Sequence, residues 1–299
     1  MLSRKFTIGT RGSQLALWQA HWIEARLHEL GFETAIKIIK TTGDKITNVS
    51  LAKVGSDSGL KGVFTKEIED ALLDGFIDLA VHSLKDLPTE LDQRLTIGCI
   101  PERADPRDAL AGKTLAQLAP GDRVGTSSLR RASQLKHLKP EVVIEDIRGN
   151  VGTRLRKLAE GRYEAILLAS AGLHRLGLEA EIVEILEPEV MAPAIGQGAL
   201  AVEIRSNDER VRQALVPFHN QETSAVVTAE RALLHALGGG CQVPLGGYGQ
   251  VSEGRLRLNA VVVSDAGDVV RATAEGGLDE AQTIGEQAAA KLLDLGVRL

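Results

Sequence analysis

Apolar residues in the first part of the chain occur in two patterns, short continuous runs and stripes that recur every three or four positions. Short runs indicate buried strands, and the stripes indicate amphipathic helices. The patterns predict strands at 6–9, 35–39 and 77–81 and helices at 13–30 and 64–73. The helix at 13–30 is expected to bury a stripe formed by Leu15, Trp18, Trp22 and Leu27. Strands that alternate with helices are typical of a mainly parallel sheet covered by helices.

The same alternation begins again in the middle of the chain. It predicts strands at 123–126, 142–144 and 165–168 and helices at 129–138 and 151–159. The letters GT and SQL of the sequence at 9–15 return as GT at 125–126 and SQL at 133–135. Two similar α/β segments favour two domains that face each other across a cleft. The stretch 101–106 is the expected first crossing between them, and a second is expected near Pro193, before a strand at 199–204.

The last part of the chain has a different order of elements. It predicts a helix at 222–237, a glycine-rich loop, strands at 247–251, 255–263 and 269–274, and a closing helix at 279–295. Strands and helices that do not alternate are typical of an α+β unit. The expected fold class is therefore α/β with a small α+β C-terminal domain. The expected domains are 1–99 with 196–218, 100–195, and 219–299.

Composition and charge narrow the possible functions. The 299 residues are 43% hydrophobic and 25% charged but only 3% aromatic, which predicts a folded protein with an aliphatic core. No apolar run approaches the roughly 20 residues of a membrane span, and no signal peptide is expected. A net charge of −5 argues against a nucleic-acid-binding protein. Two cysteines far apart in sequence favour a reducing compartment, and we expect the cytoplasm.

Cationic and hydroxyl side chains follow the predicted strands at their carboxyl ends. They lie at 10–13, 82–85, 126–131, 148–154 and 170–175, and Lys61 adds a further cation in the loop 55–62. Each group by itself is compatible with a solvated surface. Ligands of open α/β sheets bind at this edge, and arginine matches carboxylate or phosphate groups. Together the groups predict a site for a polyanion, with several carboxylates as the favoured chemistry.

The carboxylate of Asp86 and the thiol of Cys241 are candidate reactive groups, and each has two interpretations. Asp86 follows Lys85 at a basic strand end, where it either stabilises a cation on a substrate or forms a salt bridge. Cys241 follows three glycines in a loop, where it is either an accessible reactive thiol or a cysteine in a turn. Cys99, in the strand-like segment 95–100, is interpreted as a buried structural thiol. His82 is expected to pack or to form a local hydrogen bond, and no metal-ligand spacing is found.

The motifs together closely resemble the porphobilinogen deaminase family, whose members are also called hydroxymethylbilane synthases. The resembling segments are spread over nearly the whole chain. They are ALWQA at 16–20, LAKVG at 51–55, VHSLKDLP at 81–88, VGTSSLRR at 124–131, RGNVGTR at 148–154, GQGA at 196–199 and GCQVP at 240–244. Two local departures are a longer loop at 55–64 and Gly238, which stands where the family often has an acidic residue.

The resemblance implies two domains similar to periplasmic binding proteins and a third that carries a cofactor cysteine. It implies a transferase of tetrapyrrole and haem biosynthesis that deaminates and condenses four porphobilinogen molecules and releases hydroxymethylbilane and ammonia. The growing chain is attached to a dipyrromethane cofactor, one per protein chain, through a thioether. It further implies a monomer that acts on a small-molecule substrate, with no nucleic-acid or membrane partner.

The resemblance also assigns roles by position. Cys241 is the expected attachment site of the cofactor, and Asp86 is the expected catalytic carboxylate. The remaining cofactor-binding residues are expected to be Ser83, Lys85, Thr126, Ser127, Ser128, Arg130, Arg131, Arg148 and Gly172, together with Asp86. The substrate-binding residues are expected to be Arg11, Ser13, Lys61, Arg148, Arg154, Arg175 and Gln197.

Two other classes of protein compete with this interpretation. A two-lobed binding protein for a carboxylate ligand would explain the repeated α/β segments and the cations, but not the third unit or Cys241. A thiol acyltransferase would use Cys241 as nucleophile, but it needs a paired base, and no histidine lies in a sequence context that suggests one.

Overall fold

The computed structural model describes residues 5–42, 65–238, 244–264 and 267–298. Within these residues the chain forms three separate sheets and divides into two compact units. The first unit comprises Met1–Arg103 and Ala199–Ser224, and the second comprises Ala104–Gly198 and Ala225–Leu299. None of the described helices is long and apolar enough to cross a membrane.

The first unit is built on a five-stranded sheet with the order β2-β1-β3-β10-β4. Its strands are β1 (Lys5–Thr10), β2 (Glu33–Ile38), β3 (Leu79–Ser83), β4 (Leu95–Cys99) and β10 (Leu200–Arg205), and its helices are α1 (Gln14–Glu29), α2 (Lys66–Leu73) and α6 (Glu209–Leu215). Strand β1 runs parallel to β2 and β3, whereas β10 runs antiparallel to β3 and β4. The sheet is therefore mixed. Four of its strands run in one direction, as a mainly parallel sheet requires, and β10, which enters from a distant part of the sequence, runs in the opposite direction.

Helix α1 packs on this sheet through a stripe different from the expected one. The buried residues are Gln19, Ala20, Ile23 and Leu27. Of the expected stripe, Leu27 is buried, but Leu15, Trp18 and Trp22 are only half-buried. The expected stripe is therefore wrong by about one position. It followed the large apolar residues Trp18 and Trp22, whereas the next residues, Gln19 and Ile23, face the sheet. The Arg26 guanidinium lies 3.1 Å from the centre of the Trp22 ring, so that this indole forms a cation–π contact at the edge of the core.

The second unit contains a sheet of the same design, with the order β7-β6-β8-β5-β9. Its strands are β5 (Asp108–Gly112), β6 (Arg123–Gly125), β7 (Val143–Glu145), β8 (Ala165–Ala169) and β9 (Glu184–Leu186), and its helices are α3 (Leu129–Leu138), α4 (Val151–Ala159) and α5 (Ser170–Arg175). Strand β6 is parallel to β7 and β8, and β5 is antiparallel to β8 and β9. The repeated topology agrees with the repeat seen in the sequence. Strands β5 and β9 are additions that the sequence patterns missed.

The second unit also contains a three-stranded antiparallel sheet packed against two helices. Its strands are β11 (Leu245–Ser252), β12 (Arg255–Val263) and β13 (Val269–Gly277), and the helices are α7 (Gln221–Ala236) and α8 (Ala281–Asp294). Leu233 and Val227 of α7, Leu258 of β12 and Ile284 of α8 are buried. The α/β class and the additional α+β part are therefore confirmed, and the aliphatic core is as composition predicted.

Candidate functional site

The first unit contains a small cavity at the carboxyl ends of β1 and β3. Its volume is about 70 Å³, and its lining consists of Arg11, Ser13, Leu15, Ala16, Gln19, Thr65, Val81, His82, Ser83 and Asp86. Because β1 and β3 are parallel neighbours, the residues that follow them meet at one edge of the sheet. Three side chains that the sequence analysis singled out for substrate or catalysis, Arg11, Ser13 and Asp86, therefore line one cavity.

Local structure explains how each of these residues is held. Ser13 is the N-cap of α1, and its Oγ accepts a hydrogen bond from the Ala16 amide at 3.3 Å. Asp86 ends a short 3₁₀ turn, Leu84–Asp86, that directly follows β3. Leu84 and Leu87 are buried on either side, whereas Lys85 and Asp86 are exposed. The two leucines thus anchor the turn, and the charged pair projects from it.

Gln19 is a cavity residue that the sequence analysis did not single out. Its Nε2 donates a hydrogen bond to Ser83 Oγ at 2.8 Å, from the buried face of α1. A buried amide at a position facing the sheet was the available signal, because polar side chains inside a core are usually there to form hydrogen bonds. Gln19 fixes the orientation of the Ser83 hydroxyl.

His82 forms a buried pair with Glu203 of β10. Its Nε2 lies 3.1 Å from Glu203 Oε2, and both side chains are almost completely buried. Glu69 of α2 lies near this pair. Burial and the charge of Glu203 raise the pKa of Glu69, and the Thr65 hydroxyl opposes this effect. The expectation that His82 packs in the protein is confirmed, but its hydrogen bond is not local, because Glu203 lies 121 residues away in sequence.

The second unit concentrates cations at the carboxyl ends of its parallel strands. Burial, together with the charges of Arg131 and Arg148, lowers the pKa of Arg154 to about 10. Burial also lowers the pKa of Arg175 to about 10. Arg154 Nε donates to Gly149 O at 2.8 Å, and Arg175 Nη2 donates to Gly198 O at 2.6 Å. Because the charges of Arg131 and Arg148 lower the pKa of Arg154, an anion is electrostatically favoured at this point.

Arg130 and Arg131 begin helix α3 and share one buried carboxylate, that of Asp108 on β5. Arg130 Nη1 lies 2.7 Å from Asp108 Oδ2, and Arg131 Nη2 lies 2.6 Å from Asp108 Oδ1. Gln197 Nε2 donates to the same Oδ1 at 2.8 Å. The sequence analysis missed Asp108, because it predicted no strand in the residues that follow the expected crossing at 101–106.

The hydroxyl residues before α3 are mainly used to build the loop. Ser128 is the N-cap of α3, and its Oγ accepts from the Arg131 amide at 3.5 Å. The Ser127 hydroxyl donates to Ile147 O at 2.8 Å and accepts from Ile147 N at 3.2 Å. Thr126 is buried, and its Oγ1 accepts from the Ser128 amide at 3.2 Å. Ser127 therefore ties the loop after β6 to the loop after β7.

The remaining predicted site residues are either buried or outside the described part of the chain. Gly172 is buried in α5. Cys241 and Lys61 lie outside the described residues. Cys99 is fully buried, and burial raises the pKa of its thiol to about 12, which confirms its interpretation as a structural residue. Within the described part of the chain, no group of three or more His, Cys, Asp or Glu residues is arranged to hold a metal ion.

Comparisons with known proteins agree with the resemblance seen in the sequence. A family model for the porphobilinogen deaminase dipyromethane cofactor binding domain matches residues 6–213, and one for the porphobilinogen deaminase C-terminal domain matches residues 224–294. A porphobilinogen deaminase of Syntrophobacter fumaroxidans is 49% identical over 100% of this chain and 97% of its own length. That of Pelobacter propionicus is 48% identical over 100% of this chain and 96% of its own length.

Solved structures of binding proteins are also similar to the chain. The methionine binding protein MetQ has a TM-score of 0.45 and 12% identity, over 74% of this chain and 93% of that one. An arginine-specific periplasmic binding protein of Salmonella typhimurium has a TM-score of 0.41 and 12% identity, over 74% of this chain and 94% of that one.

Proposed function

The chain belongs to the porphobilinogen deaminase family, and from this premise we propose which of its residues perform the reaction. The family's enzymes are hydroxymethylbilane synthases, transferases that polymerise porphobilinogen in tetrapyrrole biosynthesis and use a dipyrromethane cofactor. This membership decides against the carboxylate-binding protein and the thiol acyltransferase considered from the sequence.

The reaction defines what the protein must supply. In each condensation the carbon–nitrogen bond of the substrate's aminomethyl group breaks, and ammonia leaves with the electron pair. A new carbon–carbon bond forms to the terminal pyrrole ring, which loses the proton from the bonded carbon. When bound, the cofactor supplies the first electron-rich pyrrole carbon, and its carboxylates need cations. The protein must therefore stabilise positive charge at the reacting ring and bind many carboxylates.

Asp86 is the proposed catalytic residue, and the cavity that it shares with Arg11 and Ser13 is the observation that carries the proposal. Loss of ammonia leaves positive charge on the substrate's pyrrole nitrogen. A fixed carboxylate at that nitrogen stabilises this charge as it develops, an effect that commonly supplies several kcal/mol. Arg11 and Ser13 are positioned in the same cavity to bind the carboxylates of the substrate.

The cations of the second unit fit a group that bears several carboxylates. Arg131, Arg148 and Arg154 crowd together closely enough to lower the pKa of Arg154. In addition, Arg130 Nε is buried and has no hydrogen-bond partner among the described residues. We assign binding of the cofactor to Ser83, Lys85, Asp86, Thr126, Ser127, Ser128, Arg130, Arg131, Arg148 and Gly172, and binding of the substrate to Arg11, Ser13, Lys61, Arg148, Arg154, Arg175 and Gln197.

Cys241 is the proposed attachment site of the cofactor. It lies in the segment that links α7, which ends at Ala236, to β11, which begins at Leu245. The other cysteine of the chain, Cys99, is buried in β4, and its raised pKa keeps it a thiol. Formation of a thioether requires an accessible sulfur, so Cys99 is a poor candidate and Cys241 is favoured.

Intact mass spectrometry under denaturing conditions tests the proposal. The expected mass exceeds that of the 32.0 kDa chain by one two-pyrrole adduct, and added porphobilinogen should produce a series of single-ring increments. Cys241→Ser should lose the adduct. Asp86→Ala should keep its thermal unfolding midpoint and lose roughly 10²–10³-fold in turnover, which is the usual cost of removing one electrostatic stabiliser. An unmodified mass without increments would contradict the assignment.

We also propose that the enzyme acts as a cytoplasmic monomer without a nucleic-acid or membrane partner. The net charge of −5 supports the absence of a nucleic-acid partner, and two cysteines far apart in sequence support a reducing compartment. The three sheets support the domain division 1–99 with 196–218, 100–195 and 219–299. Light scattering during size-exclusion chromatography should give a mass near 32.0 kDa, whereas a mass twice as large would contradict the monomer.

A further inference from the structure

Asp108 occupies an unusual position among the charged residues of the second unit. Its side chain is 0% exposed and lies at the start of β5. Oδ1 accepts hydrogen bonds from Arg131 Nε at 3.0 Å, from Arg131 Nη2 at 2.6 Å and from Gln197 Nε2 at 2.8 Å. Oδ2 accepts from Arg130 Nη1 at 2.7 Å. One buried carboxylate thus contacts both arginines that are proposed to bind the cofactor.

The charges of this cluster do not balance. Two guanidinium groups face one carboxylate, so the cluster keeps one net positive charge. Burial opposes ionisation of Asp108, but the charges of Arg130 and Arg131 outweigh it and hold the pKa of Asp108 well below its usual range. Burial lowers the pKa of Arg130, although Asp108 opposes this effect. A cation that is buried and only partly compensated is costly unless an anion completes its environment.

A second layer of hydrogen bonds fixes the cluster in place. Gln197 Nε2 donates to Pro106 O at 2.7 Å in addition to Asp108. The Gln134 side chain forms two hydrogen bonds with the main chain of Ala192. Its Oε1 accepts from the Ala192 N–H at 2.8 Å, and its Nε2 donates to the Ala192 carbonyl at 3.2 Å. That carbonyl also accepts from Arg130 Nη1 at 2.5 Å. The groups that orient the two arginines are therefore fixed in turn by their own hydrogen bonds.

We propose that Asp108 is a positioning residue for Arg130 and Arg131. It fixes the directions of the two guanidinium groups and reduces their combined charge from two to one, and Gln197 in turn orients Asp108. Arginine side chains lose rotamer entropy when they are held, so fixing them in advance lowers the cost of binding a carboxylate. The inference rests on the proposed function, in which these arginines bind cofactor carboxylates.

Asp108→Asn and Asp108→Glu separate the effect of charge from that of geometry. The Asn variant leaves the arginine pair with two positive charges. Because porphobilinogen reacts with the terminal ring of the chain that these arginines hold, we expect its KM to rise roughly tenfold, about 1.4 kcal/mol. We also expect this KM to depend more steeply on salt, because added charge strengthens screened interactions. The Glu variant keeps the charge and displaces the carboxylate. We expect a raised KM with the wild-type dependence on salt.

Asp122→Asn is the matched control in the same unit. Asp122 forms its ion pair with Lys113, at 2.7 Å, so this variant tests the loss of an aspartate ion pair by itself. It should leave KM and its salt dependence unchanged. The fraction of chains that carry the two-pyrrole adduct, measured by intact mass, should fall in Asp108→Asn and not in Asp122→Asn.

Each outcome decides the inference. If Asp108→Asn folds with wild-type KM and salt dependence, the positioning role is wrong. If it does not fold, Asp108→Glu decides, since it preserves the charge and a positioning role predicts a raised KM. If Arg130→Gln and Arg131→Gln leave KM and adduct formation unchanged, the proposed function of the arginines fails. If those two raise KM and the Asp108 variants do not, the inference about Asp108 fails by itself.

Discussion

The two cysteines show how a residue type acquires opposite roles from its surroundings. Cys99 lies on β4 with no exposed surface, next to a strand from a distant part of the sequence. Cys241 follows three glycines in the sequence. Burial disfavours the thiolate, the reactive form, and glycines leave a sulfur accessible. The first is therefore a small apolar side chain of the core, and the second is the proposed anchor of the cofactor.

The raised pKa of Cys99 predicts a specific loss of stability in alkaline solution. The folded thiol, with a pKa of about 12, keeps its proton well above pH 9, whereas the unfolded thiol releases it near its ordinary pKa of 9.0. Between these values the unfolded state binds fewer protons, so the free energy of unfolding falls by about 1.4 kcal/mol per pH unit. Below pH 9 the contribution is fully present.

Urea denaturation of the wild type and of Cys99→Ala at pH 8 and pH 10 checks this prediction. The variant lacks the thiol, so its free energy of unfolding should fall less between the two pH values, by about 1 kcal/mol. All other titrating groups are shared, and their effects cancel in the comparison. Equal pH dependence in the two proteins would contradict the assignment of a buried, protonated thiol.

At the scale of elements, the C-terminal sheet depends on close packing between α7 and α8. A Cβ at Gly285 of α8 would collide with the carbonyl oxygen of Ala229 and would lie 2.6 Å from Ala232 Cβ. No side chain fits between the two helices at this point. The backbone of α8 can approach α7 because residue 285 is a glycine.

Gly285→Ala is therefore expected to destabilise the protein by about 1–3 kcal/mol, the usual cost of overpacking, despite the better helix propensity of alanine. Gly152→Ala in α4 is the matched control, because its exposed position has no atom nearer than 3.8 Å. That variant should gain about 0.5–1 kcal/mol from propensity. Thermal denaturation measures both, and two changes of the same sign would contradict the packing argument.

The limits of the sequence patterns are also visible at the element scale. The helices at 129–138 and 151–159 were predicted with the bounds that the structure shows, since each follows a capping residue, Ser128 or Asn150, and has a strong apolar period. Strands β5 and β9 were missed. Strand β9 has three residues, and β5 contains two alanines and a glycine, so neither has the β-branched pattern that identifies a strand.

At the scale of the whole molecule, an acidic chain keeps a basic site. The net charge is −5, yet Arg131, Arg148 and Arg154 lie close enough to lower the pKa of Arg154. Their mutual repulsion lowers stability, and a bound polycarboxylate relieves it. The protein should therefore be stabilised by anions that carry several carboxylates more than by salt in general.

Citrate tests this prediction in the Cys241→Ser variant, which is expected to lack the cofactor's own carboxylates. A citrate concentration about tenfold above its Kd contributes about 1.4 kcal/mol, a rise of roughly 2–5 °C in Tm. Sodium chloride of equal ionic strength should have a smaller effect. Arg154→Gln should reduce the rise, while Arg162→Gln, which removes an exposed partner of Glu160, should not. Equal effects of citrate and chloride would contradict the prediction.

The sequence by itself determined the α/β class, most helices and strands, the family, and the residue types available for the chemistry. These properties follow from local periodicity and from motifs whose residues are close in sequence. Only the tertiary structure decided that each α/β sheet is mixed, that α1 buries Gln19, that His82 pairs with Glu203, and that Asp108 holds two arginines. Glu203 lies 121 residues from His82, and Asp108 lies 23 from Arg131. Contacts at such separations arise from strand order and direction, which no local pattern records.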